Sequence, residues 1–223
     1  MPMDKPIRIY LVGAHATGKT TLARMIRDRY DLPMISEVAR GVLAEMEAQV
    51  DSLRTNVELV NRYQMEVFER QISAEQNQIG SFVSDRAFCN LAYAAHHSTI
   101  LGRIFADPRL RDYMDSVRKG VVFFVRPQRR LLVQDGVREA LEWDEVVRID
   151  GMVKLMLEMY EIPYIPMESL SMQERLRMVT QILNLAGLRE SPGEGAVSQS
   201  MEAAEFAPEI PQARGYSITH GLS

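Results

Sequence analysis

Eight consecutive residues near the start of the chain have the spacing of a phosphate-binding loop, with glycines in the first and sixth positions and Lys-Thr at the end. Glycines allow backbone N–H groups to turn inward around phosphate oxygens, and the N-terminus of a following helix adds partial positive charge. Lys19 is placed to neutralise the β- and γ-phosphates, and the Thr20 hydroxyl to bind Mg²⁺, which prefers oxygen ligands. The predicted phosphate-binding residues are Gly13, Ala14, His15, Ala16, Thr17, Gly18, Lys19, Thr20 and Thr21.

The segments on either side are those that such a motif requires. Residues 7–12 are β-branched and apolar, which predicts a strand. The segment after the motif predicts a helix, because Leu22, Met25 and Ile26 fall on one helical face. The alternative is a chance match, in which the loop turns without binding phosphate.

Strands and helices alternate along the rest of the chain. Apolar runs predict four further strands, at 33–36, 81–84, 121–125 and 163–167. Helical spacing and flanking signals predict helices at 38–48, 51–79, 87–97, 109–118, 144–160 and 171–186. The alternation predicts an α/β fold with a parallel five-stranded sheet flanked by helices, in which ligands bind beyond the carboxyl ends of the strands.

Two carboxylates directly follow predicted strands and are therefore expected beside the phosphate loop. Glu37 ends the second strand and Asp85 ends the third. One carboxylate is placed to accept a proton from a substrate hydroxyl and the other to orient Mg²⁺. We assign Asp85 to the metal together with Thr20, and it stays open which of the two carboxylates is the base. The alternative is that each is an exposed residue at the start of a turn or helix.

Arginines next to these carboxylates are candidates for binding the acceptor. Arg40 lies three residues after Glu37, and Arg86 directly follows Asp85. A guanidinium can bind a phosphate group through two hydrogen bonds. The alternative is a structural ion pair with the neighbouring carboxylate, and the two roles can coexist.

A further group of arginines follows the predicted fourth strand, at Arg126, Arg129, Arg130 and Arg138. In phosphoryl-transfer enzymes, a mobile arginine-rich lid closes over the nucleotide and stabilises charge on the transferring group. Arg138 lies near the potential hinge Gly136 and is our candidate for this catalytic role. A solvated, charged surface loop is the alternative.

The composition is typical of one globular domain in a reducing compartment. The chain has 223 residues and a single cysteine, Cys89, which excludes an internal disulfide and is expected to be a small buried residue. No apolar run approaches the roughly 20 residues of a membrane span, and the N-terminus is not that of a signal peptide. We therefore expect a cytoplasmic protein without a membrane partner.

The negative charge is concentrated at the C-terminus. Residues 190–223 hold five Glu and one Arg, a balance of −4 that equals the net charge of the chain, so residues 1–189 balance at zero. The segment is rich in Gly, Pro, Ser and Glu and lacks periodicity, which predicts disorder. The expected organisation is one domain over 1–188 and a disordered acidic tail over 189–223.

Five motifs together resemble the AAA-type P-loop ATPase group that includes ribosylnicotinamide kinase domains and is similar to nucleoside and nucleotide kinases. They are the phosphate loop with Thr21-Leu22, Glu37-Val38-Ala39-Arg40, Asp85-Arg86, Asp135-Gly136-Val137-Arg138 and Ile162-Pro163-Tyr164. The resemblance implies a five-stranded P-loop NTPase fold like that of nucleoside-monophosphate kinases, with ATP and Mg²⁺ as cofactors. It also implies Glu37 or Asp85 as the base and Arg86 as a substrate contact.

By this resemblance the chain is expected to be an ATP-dependent phosphotransferase, a kinase that transfers the γ-phosphate to a hydroxyl of a nucleoside-like acceptor. The acceptor is either a free nucleoside or nucleotide, or a hydroxymethylated pyrimidine within DNA, because phage kinases of such DNA resemble this architecture. The alternative is a nucleotide-binding module that hydrolyses ATP slowly and acts through a protein partner.

Overall fold

A computed structural model describes residues 5–36, 38–46, 56–132 and 142–191 of the chain. Residues 1–190 form one compact unit, which holds every strand and helix described below. The tail predicted for 189–223 lies outside the described residues from position 192 onward, so its disorder stays a prediction.

The centre of the unit is a parallel sheet of five strands. In chain order they are β1 (Arg8–Val12), β2 (Met34–Ile35), β3 (Phe82–Ser84), β4 (Val121–Val125) and β5 (Ile165–Met167). Their spatial order is β2-β3-β1-β4-β5, with every neighbouring pair parallel. This arrangement confirms the predicted α/β fold with a parallel five-stranded sheet. The structure places β1 at the centre of the sheet and brings the carboxyl ends of all five strands to one edge.

Helices connect the strands and cover the sheet. They are α1 (Lys19–Tyr30), α2 (Val38–Glu45), α3 (Val57–Gln76), α4 (Cys89–His97), α5 (Leu101–Phe105), α6 (Pro108–Arg118), α7 (Arg129–Leu132), α8 (Trp143–Met159) and α9 (Met172–Leu185). The predicted helix 51–79 begins at Val57, because the Asn56 side chain accepts a hydrogen bond from the Leu59 N–H at 3.0 Å and caps that end. Ser171 caps α9 in the same way, through the Glu174 N–H.

Apolar side chains of the sheet point alternately to two cores. Tyr10, Val12 and Phe124 pack with the faces of α3, α4, α6 and α8 on one side. Leu11 and Phe123 pack with α1 and α9 on the other. Because both faces of the sheet are covered, β4 is a continuous apolar run. Among the helices of the described residues, none has the length and apolar character of a membrane span.

Candidate active site

The phosphate-binding loop joins the end of β1 to the start of α1 through conformations that require glycine. Gly18, directly before α1, has a φ of +84°, in the left-handed region that other residues rarely adopt. Gly13 has a φ of +141°, and a Cβ there would lie 2.3 Å from the carbonyl oxygen of Val125 at the end of β4. The two glycines therefore allow the loop to pass close to the neighbouring strand and then to open the helix.

Two side chains from distant parts of the chain hold this loop. The Gly13 N–H donates to Sγ of Cys89 at 3.3 Å. Arg175 donates from Nη1 to the Thr17 carbonyl at 2.5 Å and from Nε to the Ser169 carbonyl at 2.6 Å. Arg175 is only 2% exposed, and burial lowers the pKa of its guanidinium group. Cys89 is buried, as expected, and burial raises the pKa of its thiol.

Lys19 folds back over the loop that precedes it. Its Nζ donates to the Ala14 carbonyl and, at 3.2 Å, to Oγ1 of Thr17. Thr17 in turn donates from Oγ1 to the same carbonyl at 3.2 Å. The ammonium group is therefore held among the residues that the sequence predicts to bind phosphate.

Thr20 and Asp85 are brought together by the parallel pairing of β1 with β3. Oγ1 of Thr20 donates to Oδ2 of Asp85 at 2.8 Å. Asp85 is 2% exposed, and its Oδ1 is buried with no hydrogen-bond partner among the described residues. A hydroxyl beside a carboxylate that has an unpaired oxygen is a donor set that suits Mg²⁺. These two residues therefore fit the metal that the phosphate loop implies.

Two cavities meet at this edge of the sheet. The first, the phosphate cavity, has a volume of about 170 Å³ and is lined by the loop and Asp85. The second, which we call the side cavity, has a volume of about 250 Å³ and lies among α2, α3 and α4, with apolar walls that include Leu43, Val60 and Val67. The residues that line both cavities are His15, Arg40, Arg86, Cys89 and Tyr93.

Four polar side chains of the side cavity have a buried atom that finds no hydrogen-bond partner among the described residues. These atoms are Oε1 of Gln64, Nε of Arg86, Nδ2 of Asn90 and the hydroxyl of Tyr93. Buried polar atoms in folded proteins are nearly always paired with protein groups or ordered water, so these four atoms are available to a ligand or to water in the cavity. The set offers an acceptor, donors and a hydroxyl that can do both, which suits a small polar molecule with an apolar or aromatic body.

The rim of the side cavity is formed by aromatic and charged groups. The ring of His15 lies 4.0 Å from the ring of Tyr93, measured between centroids. Nε2 of His97 lies 2.9 Å from Oε1 of Glu145, which joins the end of α4 to the first turn of α8. The first turn of α8 therefore lies beside this rim.

The structure describes some of the site residues that the sequence predicts and leaves others outside the described residues. Arg40 and Arg86 line both cavities, and their role in binding an acceptor stays a prediction. Glu37 and Arg138 lie outside the described residues, so the position of a second carboxylate and the arginine-rich lid stay predictions.

Arg126 has a structural partner. Its Nη2 lies 2.9 Å from Oδ2 of Asp150, which is 4% exposed on α8. Burial raises the pKa of the Asp150 carboxyl, and the Arg126 charge opposes that rise. The ion pair fixes α8 to the end of β4. Arg129 and Arg130 are exposed on α7, consistent with the alternative of a solvated surface.

Sequence reasoning missed several residues that shape the site. Gln64, Asn90 and Tyr93 lie on helices with no motif of their own, and Arg175 is 158 positions from the carbonyl that it binds. The available signal was polarity at a buried helical position: Gln64 falls on the same face as Val60, Val67 and Phe68.

The sequence matches the AAA domain family over residues 8–175, more than half of the chain. No curated protein matches. Solved structures with similar folds include NadR in complex with NR, with a TM-score of 0.64 at 17% identity over 83% of this chain and 53% of that one. The chain thus spans about half the length of the NadR chains that it matches.

Two smaller neighbours are matched over nearly their whole length. Deoxyadenosine kinase from M. mycoides has a TM-score of 0.55 at 13% identity, over 80% of this chain and 98% of that one. YorR from Bacillus subtilis, in complex with phosphorylated GDP, has a TM-score of 0.55 at 18% identity, over 82% and 99%. Both neighbours share the fold that surrounds the phosphate loop. This chain belongs to the AAA domain family and has the five-stranded fold of P-loop kinases.

Proposed function

We propose that this protein is an ATP- and Mg²⁺-dependent kinase that phosphorylates a hydroxyl of a nucleoside-like acceptor. The observation that carries the proposal is the shared wall between the phosphate cavity and the side cavity. A kinase must hold a nucleotide and an acceptor so that the γ-phosphate and the hydroxyl meet. A module that only hydrolyses ATP needs no second cavity with unpaired polar groups beside the first.

The phosphate side of the reaction is assigned to the loop and its neighbours. Backbone N–H groups of the loop after Gly13 and of the start of α1 bind the phosphates, and Lys19 neutralises their charge. The Gly13 N–H is already bonded to Cys89, so Gly13 serves the turn of the loop. Thr20 and Asp85 hold the metal. When bound, Mg²⁺ supplies charge neutralisation at the β- and γ-phosphates. Arg138 is assigned to the transferring group.

The acceptor side is assigned to the side cavity. The acceptor hydroxyl loses its proton to Glu37 or Asp85, its oxygen forms the new bond to the γ-phosphorus, and ADP leaves. Arg86 and Arg40 orient the acceptor or its phosphate from the shared wall. Gln64 and Asn90 offer an amide oxygen and an amide nitrogen to the acceptor, which suits the mixed donor and acceptor edge of a nucleobase.

The ligands of neighbouring structures are compatible with such an acceptor, since they include NR, dCMP and a phosphorylated GDP. The proposed acceptors are a free nucleoside, a nucleotide, or a hydroxymethylated pyrimidine within DNA. The formally neutral composition of residues 1–189 does not favour strong non-specific binding of duplex DNA, so a DNA acceptor would need an unpaired or extruded base.

The test is transfer of radiolabelled γ-phosphate to a panel of nucleosides, nucleoside monophosphates, single-stranded oligonucleotides and hydroxymethyluracil-containing DNA. Label on one class of acceptor, dependent on Mg²⁺, is the expected result. Slow loss of ATP without a labelled acceptor would instead favour the ATPase module that acts through a protein partner. The Lys19→Ala variant gives the background for both measurements, the label on the acceptor and the loss of ATP.

A further inference from the structure

A buried carboxyl group lies on the inner side of the turn that carries Asp85. Glu75, in the last turns of α3, is only 2% exposed. Its Oε1 accepts hydrogen bonds from Nε2 of Gln71 at 2.7 Å and from the hydroxyl of Tyr113 at 2.9 Å. Burial raises the pKa of the Glu75 carboxyl, and the hydrogen bonds from these partners oppose the rise.

Ser84, the last residue of β3, connects this carboxyl to the site. Its Oγ lies 3.4 Å from Oε1 of Glu75 and accepts a hydrogen bond from Nε2 of Gln71 at 3.2 Å. The same Oγ accepts a hydrogen bond from the Ala87 N–H at 3.3 Å. The hydroxyl therefore links α3 to the backbone on the far side of Asp85 and Arg86.

The backbone at Ala87 explains why this link matters. Ala87 has a φ of +47°, a left-handed conformation that a residue with a Cβ adopts only at an energetic cost. A strained residue keeps such a conformation only when its surroundings fix it. The Ser84 hydroxyl supplies a hydrogen bond at this point, and Gln71 and Glu75 hold the hydroxyl.

We propose that Glu75 is a positioning residue for the metal-binding turn. Through Ser84 it fixes the turn from Asp85 to Ala87, so that the Asp85 carboxylate faces Thr20 and Arg86 faces the side cavity. Glu75 touches neither the phosphate cavity nor the side cavity, which distinguishes it from the residues assigned to ligands. The inference rests on the proposed role of Asp85 in binding Mg²⁺.

The experiment measures binding of a fluorescent ATP analogue to the full chain as Mg²⁺ is titrated. Glu75→Leu and Ser84→Ala are each expected to raise the half-saturating Mg²⁺ concentration about fivefold, the order expected for one lost buried hydrogen bond. Glu75→Gln keeps an oxygen that can accept hydrogen bonds from Gln71 and Tyr113. It should therefore keep the half-saturating Mg²⁺ concentration of the wild type. Because Glu75 and Ser84 act through one link, the double variant should show no more than the larger single effect.

Ile72→Ala is the matched control, since Ile72 is buried in the same helix but lies outside this hydrogen-bond network. It should destabilise the fold without moving the Mg²⁺ requirement. A Glu75→Leu protein that behaves like this control, or additive effects of the two substitutions, would overturn the role of Glu75. If Glu75→Leu does not fold, Ser84→Ala is compared with Glu75→Gln. Ser84→Ala should raise the half-saturating Mg²⁺ concentration and Glu75→Gln should not, and equal values for the two variants would overturn the role of Glu75. ATP binding by the wild type that does not depend on Mg²⁺ would overturn the metal assignment as well.

Discussion

The two cavities differ in how their polar groups are satisfied. Around the phosphate cavity, Gly13 is bonded to Cys89, Thr17 to Arg175 and Thr20 to Asp85. In the side cavity, Gln64, Arg86, Asn90 and Tyr93 keep buried atoms without partners among the described residues. The phosphate loop itself is thus braced by side-chain partners before any ligand arrives. Among the described residues of the two cavities, the unpaired buried atoms lie at Oδ1 of Asp85, on the wall that the two cavities share, where Arg86 and Tyr93 stand, and deeper in the side cavity.

The difference is the one that the proposed function requires of the two cavities. Phosphate is bound by backbone N–H groups and fixed charge, so the surrounding side chains serve to hold the backbone in place. A specific acceptor is selected by side-chain groups that its own donors and acceptors complete, and a molecule lacking them leaves those groups unpaired at a cost. Under the proposed function, the braced loop would serve a nucleotide in general, and the unpaired groups of the side cavity would select a particular acceptor.

The largest expected effect comes from removing the charge of the phosphate cavity. Lys19→Ala should cut phosphoryl transfer roughly a thousandfold or more, because the lysine neutralises phosphate charge in the ground and transition states alike. ATP affinity should fall too, while circular dichroism and melting temperature stay near those of the wild type. Lys119→Ala, at the exposed end of α6, is the matched control. Normal turnover by folded Lys19→Ala protein would disprove the nucleotide site.

The two carboxylates should respond differently. Glu37→Gln should cut turnover roughly a hundredfold or more with little change in ATP affinity, because the amide cannot take a proton. Asp85→Asn should cut the rate and raise the Mg²⁺ requirement, because it weakens an oxygen ligand beside Thr20. Single-turnover rates and Mg²⁺ titrations separate the two. If Asp85→Asn loses rate at unchanged Mg²⁺ dependence while Glu37→Gln stays active, the roles are exchanged.

A substitution in the side cavity should affect the acceptor and spare the nucleotide. Gln64→Leu removes the unpaired amide oxygen and should raise the KM for the acceptor about tenfold, with the KM for ATP unchanged. Gln76→Leu, at the exposed end of the same helix, should change neither. Equal rises in both KM values would mean that the two cavities are not separate subsites.

The buried carboxyl group of Glu75 should make the free energy of unfolding depend on pH. Its raised pKa means that folded Glu75 holds its proton more tightly than the unfolded chain does. The contribution of protonated Glu75 to the free energy of unfolding is fully present below pH about 4.3, the pKa of a glutamate in the unfolded chain. This contribution is lost as the pH rises through the pKa of Glu75 in the folded protein. The pKa values of Tyr10 and Tyr113 are also raised, so these neighbours stay neutral in that range. The melting temperature of Glu75→Gln relative to wild type should therefore increase with pH, and a constant difference would contradict this.

The smallest effect is expected outside both cavities. Deleting residues 192–223 should leave catalysis unchanged and shift the melting temperature by less than about 2 °C, below the shift that 1 kcal/mol produces in a domain of this size. Differential scanning calorimetry and the transfer assay measure both quantities. A fall of several degrees would show that the tail docks on the rest of the chain.

Local signals in the sequence were sufficient to predict the fold. Apolar runs indicated the strands β1 and β4, and the five consecutive apolar residues of β4 also indicated burial on both faces. The alternation with helices indicated a parallel sheet, because such crossovers join parallel strands. The loop was equally readable, since its glycines and its Lys-Thr pair act over eight adjacent residues. Asp85 was found because a residue that ends a parallel strand lies at the ligand-binding edge.

What the sequence determined by itself was the chemistry that depends on neighbours along the chain: the loop, the strand ends and the helix caps. Tertiary structure decided which distant side chains meet. Arg175 reaches Thr17 only because α9 packs beside α1, and Gln64 and Asn90 share a cavity only because α3 packs on α4. A polar residue on a helix looks alike in sequence whether it faces water or a cavity, so the acceptor side of the site emerged only from packing.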